Sequence, residues 1–422
     1  MLLISFAVYI TAYFGFLTAA FFILTFFEHK DKLSDPSSKK TPFVSFIVPV
    51  FNEEKAIKDT IQSLLQIDYP KNKYEIIIID DGSTDNTYKV AKKFESQQVR
   101  VFTKENGGCP SALNFGIKKA KGELIARFDA DTTLAKDALK KIIGYFENPK
   151  VMSATSSLNV KNHKGFLQNI QWAEYLQGIF LRKIFDLNNA IHVIPGPLSL
   201  YRAEFFSKYG GFDEKNITED TEMAMRIQSK GYEIRNSISA NVYTIIPETF
   251  AFLLKQRTRW YTGFLKNAWA YRSLSKKKNN LSLFILPAAI ISVFLAFLSF
   301  FIMAYFNFGA IKGQMIKLSV TGFSFSHFLS SITFSNITDF LYNYFSTPYF
   351  FFLILGLLLM LFFFIIAKYA SGEKRNIFWA CFLFFIFYIF FFILWWGIAI
   401  FYMISGKKQT WGKRVYIRGK RI

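Results

Sequence analysis

The stretch Glu75-Ile76-Ile77-Ile78-Ile79-Asp80-Asp81-Gly82-Ser83 decides the fold. Four successive isoleucines are apolar on both faces, as a central parallel strand buried between helix layers must be. The run stops at Asp80-Asp81-Gly82-Ser83, where turn-forming residues take over. Working outward, strands are expected at Ser45–Val50, Glu75–Asp80, Val99–Thr103 and Glu123–Asp129, with helices near Glu53–Gln66, Thr84–Ser96 and Ser111–Ala120. This βαβ rhythm predicts an α/β fold with a mostly parallel nucleotide-binding sheet. In such sheets ligands bind beyond the carboxyl ends of the strands, so polar clusters there are site candidates.

The flanks have another character. The chain has 422 residues, is 52% hydrophobic and 19% aromatic, and contains 52 Phe, too apolar for an ordinary soluble protein. Leu3–Phe27 carries no charge and exceeds the roughly 20 apolar residues a spanning helix needs. A cleaved signal peptide would begin with basic residues, yet none precedes Lys30. Leu281–Phe306, Tyr349–Ala367 and Ile377–Ile404 are also long enough to span.

The net charge of +21 raises nucleic-acid binding, but the basic residues sit elsewhere. Lys30, Lys32, Lys39 and Lys40 follow the first apolar stretch, and Arg272, Lys276, Lys277 and Lys278 precede the second. This is the positive-inside pattern: it places residues 28–280 in the cytosol and the sparsely charged loop Asn307–Pro348 outside. The expected partner is a lipid bilayer, not nucleic acid. Three C-terminal crossings would put the basic tail outside, so either one stretch is re-entrant or Ser319–Phe345 inserts as well. Two cysteines, Cys109 and Cys381, offer neither a disulfide framework nor a thiolate metal site, and four scattered histidines suggest no zinc.

Five clusters carry chemistry. Pro49-Val50-Phe51-Asn52-Glu53-Glu54 and Asp80–Asp85 leave the first two strands where a nucleotide docks. Asp81 is placed to accept hydrogen bonds from a base or ribose, while Gly82 allows the turn, although turn and cap chemistry alone would explain that cluster. Asp129-Ala130-Asp131 invites a hard divalent cation, Mg²⁺ or Mn²⁺, bound with a pyrophosphate; the bland alternative is a cap for a helix at Leu134–Phe146. In Thr218-Glu219-Asp220, Thr218 would cap a helix running to Lys230, whose dipole would keep Asp220 ionised as a general base. Gln256-Arg257-Thr258-Arg259-Trp260 lies on an expected amphipathic helix; Arg can clamp a diphosphate and Trp can stack on a sugar, unless the helix merely lies at the interface.

Together these residues resemble the membrane-bound processive family-2 glycosyltransferases, the poly-N-acetylglucosamine, hyaluronan, chitin and cellulose synthases, over about Ser45–Trp260. The resemblance implies a GT-A-like fold, inverting displacement and a UDP-sugar donor with Mg²⁺ or Mn²⁺. It implies Asp81 as a uridine contact, Asp129 and Asp131 as the donor and metal pair, and Asp220 as the base. Gln256, Arg259 and Trp260 would form the acceptor and diphosphate clamp, with Glu53 and Glu219 as further substrate contacts. More weakly, it reaches Pro195-Gly196-Pro197 through Arg202, and Trp411 and Arg414. Relatives carry Lys where this chain has Cys109.

The implied organisation is a transmembrane helix (1–28), a linker (29–43), a cytosolic transferase domain (44–248), an amphipathic interfacial segment (249–280), a membrane region (281–406) and a basic tail (407–422). The expected enzyme sits in the plasma membrane and extends a β-linked polysaccharide of N-acetylglucosamine type. The alternatives are single transfer to a lipid-linked acceptor and a non-catalytic nucleotide-sugar component. Accessory subunits are compatible with each.

Overall fold

The computed structural model describes residues 2–161, 163–277, 279–321, 334–335, 338, 342 and 348–406. Lys278, Trp411, Arg414 and the basic tail lie outside them, as does most of Ser319–Phe345.

The chain divides into two compact units. One comprises residues 1–24 and 287–365, the other residues 25–286 and 366–422. Four helices are long and apolar enough to cross a membrane: Phe6–Glu28, Leu281–Ile302, Phe350–Ser371 and Phe378–Ser405. They coincide with the four stretches read from the sequence.

The second unit holds an eight-stranded sheet. Its strands are β1 (Val44–Val50), β2 (Tyr74–Asp80), β3 (Val99–Thr103), β4 (Leu124–Arg127), β5 (Thr132–Leu134), β6 (Val151–Val160), β7 (Ser199–Arg202) and β8 (Glu233–Thr244), in the order β3-β2-β1-β4-β7-β6-β8-β5. β1, β2, β3 and β4 are mutually parallel, so Asn52, Asp81 and Asp129 emerge at one edge. Beyond β4 the pairing alternates: β7 is antiparallel to β4 and β6, β8 is parallel to β6, and β5 is antiparallel to β8. The sheet is therefore mixed, and the expected mostly parallel character holds for its nucleotide-binding half. The later strands alternate small polar with apolar residues, a pattern that leaves strand direction open.

The isoleucine run is buried as its composition demands. Ile76 and Ile78 join one apolar core with Val44, Phe46 and Val48, while Ile77 and Ile79 join a second with Ile47. That split is the two-residue alternation of a strand. The first core is covered by α2 (Ile57–Leu65), α3 (Thr87–Lys92) and α5 (Ala138–Ile143), the second by α4 (Cys109–Lys119), α7 (Ala203–Tyr209) and α8 (Glu219–Ser229). Pro49 lies past the last β1–β4 pair, Ile47 with Arg127, where its missing N–H forfeits no ladder bond on that side.

Several boundaries depart from the sequence reading. No helix begins at Leu134: Asp131 leads into β5, and α5 starts only at Ala138. Asp129-Ala130-Asp131 is therefore not a helix cap. Helix α10 (Leu286–Thr321) continues through residues 307–321, which were read as loop. Ala310, Gln314, Met315 and Leu318 are good helix formers, and no proline interrupts them. The linker is also less free than its polar composition suggested. Asp35 accepts hydrogen bonds from Tyr145 (2.7 Å), Ser237 (2.7 Å) and Ser239, and Ser38 donates to Glu147 (2.8 Å).

Two long helices complete this unit, α6 (Phe166–Leu187) and α9 (Phe250–Ala270), both packed against the last apolar helix, Phe378–Ser405. Gly263 lets α9 press against α8, because a Cβ there would collide with the Thr218 side chain. Gly263→Ala should force the two helices apart at a cost of about 1–3 kcal/mol. The check is a lowered melting temperature together with reduced turnover in the purified protein.

Candidate active site

The site lies where β1, β2 and β4 end. Leaving β1, Asn52 adopts φ +57°, tolerable for Asn, and accepts a hydrogen bond from the Thr84 amide (2.8 Å). The Glu53 amide donates to Thr87 Oγ1 (2.8 Å). These bonds tie the first cluster to the second.

In the second cluster the labour is divided. Asp80 accepts from Thr103 (2.9 Å) and Asp85 from the Thr87 amide (2.9 Å), so these two serve the turn and the helix start. Asp81 faces the following loop, accepting from the Gly107 amide (2.9 Å), the Gly108 amide (2.7 Å) and Lys104 Nζ (2.9 Å). The turn reading thus accounts for its neighbours but not for Asp81. Gly108, at φ +91°, opens α4 and places Cys109 on its first turn.

Asp129 is half-buried beyond β4 and fits against Gly196, where a Cβ would strike its carboxylate. The next residues of that arm are strained, with Leu198 at φ +46°. Asp131 is near enough to Glu53 for its charge to act on that carboxyl. Burial and the charges of Asp131 and Asp85 push the Glu53 carboxyl up to about 7, and burial beside Asp129 pushes Asp131 up to about 6.

Asp220 begins α8 next to buried Glu219. The helix terminus was expected to hold Asp220 ionised, but burial and the neighbouring Glu219 charge raise its pKa, against the opposing pull of Arg127 and Arg259. Thr218 precedes the helix without a side-chain cap bond; its hydroxyl instead accepts from Asn267 (3.0 Å). Burial likewise raises Asp129, opposed by Arg127. The mutual influence of Asp129, Asp131, Glu53, Glu219 and Asp220 puts five carboxylates in one neighbourhood.

The α9 cluster is divided differently from the sequence reading. Arg259 reaches back to the Ile217 carbonyl (2.9 Å), and its charge opposes, without cancelling, the rise at both Asp129 and Asp220. Arg257, fully buried, forms a two-pronged ion pair with Glu174 of α6 and lies over the Trp260 ring, 4.2 Å from its centre. Gln256 accepts from Arg257 (2.5 Å), and Tyr388 of the last apolar helix donates to Glu174 (3.3 Å). Gln256 and Trp260 are thus held by Arg257, a residue to which the sequence reading gave no role of its own. Arg127 and Glu174 were missed as well. The available signals were an Arg ending the apolar run Leu124-Ile125-Ala126 and a lone Glu in an apolar helix, since unpaired charges are almost never buried.

Comparison with known proteins gives this cluster a setting. Residues 45–210 match the model of glycosyl transferase family 2. Poly-beta-1,6-N-acetyl-D-glucosamine synthase of Staphylococcus epidermidis is 33% identical over 312 residues, 70% of this chain and 73% of that one. The chain belongs to glycosyl transferase family 2. The Staphylococcus aureus (strain COL) synthase of the same name is 34% identical to this transferase over 224 residues, 52% of this chain and 54% of that one. The mannosyltransferase PcManGT from Pyrobaculum calidifontis, solved in complex with GDP-Man and Mn2+, shares the fold at TM-score 0.54 and 18% identity, covering 87% of this chain and 100% of that one. The fold of this family-2 transferase is GT-A-like, with its mixed sheet flanked by apolar helices.

The donor set suits a hard divalent cation. Asp129 and Asp131 offer oxygen only, and among the described residues no group of three or more His, Cys, Asp or Glu side chains could hold a metal. A site of one or two carboxylates completed by substrate phosphates and water is the usual habit of Mg²⁺.

Protons and a cation compete for the same oxygens, so Mn²⁺ half-saturation should rise as pH falls through about 6, the Asp131 value. Because the folded chain holds these protons more readily than the unfolded one, the metal-free protein should gain stability as pH falls through about 7 and lose it as pH rises. Melting curves from pH 8 to pH 5 with and without Mn²⁺ check both signs.

Proposed function

We propose that this family-2 enzyme transfers N-acetylglucosamine from UDP-N-acetylglucosamine to a growing β-linked polysaccharide, with inversion at the anomeric carbon. What carries the reading is 33% identity to a poly-beta-1,6-N-acetyl-D-glucosamine synthase over 70% of this chain. The site is compatible with it, because carboxylates from β4 and α8 and an arginine from α9 converge.

In this reading Asp220 takes the proton of the acceptor hydroxyl, and that oxygen attacks the anomeric carbon as the bond to the UDP oxygen breaks. Its raised pKa makes it a stronger base than a free carboxylate. Asp129 and Asp131 would hold the divalent cation, Mg²⁺ or Mn²⁺, whose chemistry is to neutralise charge on the departing diphosphate. Arg259 lies near both carboxylate groups and orients the leaving side. Asp81 receives the uracil or ribose once the Gly107–Gly108 amides yield to it, and Glu53 and Glu219 line the donor. Gln256 and Trp260, fixed by Arg257, face the acceptor.

The proposed organisation is a multi-pass plasma-membrane protein with residues 44–248 as a cytosolic domain, 249–280 at the interface, and spans on either side. The UDP-sugar, the polysaccharide end and the bilayer are the partners.

Purified full-length protein should release UDP from UDP-N-acetylglucosamine with Mn²⁺ or Mg²⁺ and stop when the metal is chelated. Asp220→Asn should lower kcat by roughly 10²–10⁴ with the fold intact. Full activity in Asp220→Asn would remove the base assignment, and products of one added sugar on a lipid would replace polymerisation with single transfer.

A further inference from the structure

One cation behind the carboxylates has no place in the account so far. Arg127 ends β4, two residues before Asp129, and is 6% exposed. Its Nη2 meets Glu219 Oε1 at 2.8 Å, and its Nε lies 3.6 Å from Asp129 Oδ1. Nη2 is also 3.9 Å from the Cys109 sulfur, and the guanidinium stands 5.9 Å from the centre of the Phe212 ring. Nε and Nη1 are buried without a hydrogen-bond partner among the described residues.

Such a group is costly to keep. Burying a guanidinium with two nitrogens unsatisfied carries a desolvation penalty that an apolar side chain would avoid. The sheet alone does not require it, since β4 pairs through its backbone with β1 at Ile47 and with β7 at Ser199. Its two charged neighbours come from different parts of the site. Asp129 belongs to the donor side on β4, and Glu219 precedes Asp220 on α8.

We propose that Arg127 is the positioning cation of this transferase: a single planar guanidinium holds Asp129 and Glu219 at a fixed separation, and so sets the donor carboxylate against Asp220 across the cleft. The shape matters, because the planar guanidinium meets Glu219 with Nη2 while its Nε side faces Asp129 as an ion pair, and a lysine ammonium is a single point charge. Cys109 is part of the arrangement. Its sulfur, on the first turn of α4, lies 3.9 Å from Nη2, so a lysine placed there would bring a second cation against the guanidinium.

This deepens the proposed function and rests on it for the identity of the donor. The test uses full-length protein in detergent with four variants: Arg127→Met, Arg127→Lys, Cys109→Lys and the double variant Arg127→Met/Cys109→Lys. Calorimetry gives UDP affinity in saturating Mn²⁺, and UDP release from UDP-N-acetylglucosamine gives KM and kcat. Arg127→Met should weaken UDP–Mn²⁺ binding and raise donor KM by at least about tenfold. Cys109→Lys alone should also weaken binding, by about tenfold, because two cations would crowd one pocket. The double variant should bind more tightly than either single variant, a reversal that a purely structural role for Arg127 would not produce.

Arg127→Lys keeps the charge and the fold, and should raise donor KM about fivefold or more with a melting temperature near that of the parent. If Arg127→Lys matches the parent in KM and UDP affinity, or if Cys109→Lys lowers affinity equally in both backgrounds, the proposal is overturned. A parent protein that binds UDP–Mn²⁺ but never turns over the donor would defeat the proposed function alone, since the affinity series still reads the role of Arg127.

Discussion

Like charge confined to one edge of the sheet is the constraint on which the rest of the structure depends. Glu53, Asp129, Asp131, Glu219 and Asp220 meet where the parallel strands end, and Arg127 and Arg259 are the cations that act on the group. At an effective dielectric near 20, two unit charges 4 Å apart interact by about 4 kcal/mol, so such crowding needs a fixed scaffold and opposing cations. The isoleucine strand between two apolar cores supplies the fixed edge. Arg127, paired with Glu219 and facing Asp129, supplies part of the opposing charge.

The second half of the site is held by α6 and the last apolar helix. Glu174 on α6 takes both prongs of Arg257 on α9, and Tyr388 on the last apolar helix adds a hydrogen bond to the same carboxylate. Tyr261 of α9 also packs on Trp396, with ring centres 4.5 Å apart. The helix that carries Gln256, Arg259 and Trp260 is therefore clamped within the unit that contains the sheet. Its packing partners are α6, α8 and the last apolar helix.

Much of this was legible because it follows from local chemistry. A run of isoleucines makes a doubly buried strand, four long uncharged stretches make apolar helices, and the strand ends carry the aspartates that the sequence places there. Strand direction beyond β4 was not legible, because Val151–Val160 and Glu233–Thr244 alternate in the same way whether paired parallel or antiparallel. Nor was the pairing of Arg257 with Glu174, which are 83 residues apart in sequence. The linker looked like a tether because Asp35 and Ser38 are polar, and their partners Tyr145, Ser237 and Glu147 lie far along the chain. Arg127 was hidden for the opposite reason: it sits inside a strand, where its meaning depends on side chains brought in from α4 and α8.

The most direct measurement is the position of the cation itself. Crystals or vitrified particles of the full-length protein with UDP and Mn²⁺ would locate the manganese by anomalous scattering or by density. The manganese would be held by Asp131 and Asp129, with the diphosphate bound to it and Asp220 close by. Manganese bound away from Asp131, or UDP seated on another face of the sheet, would contradict this placement.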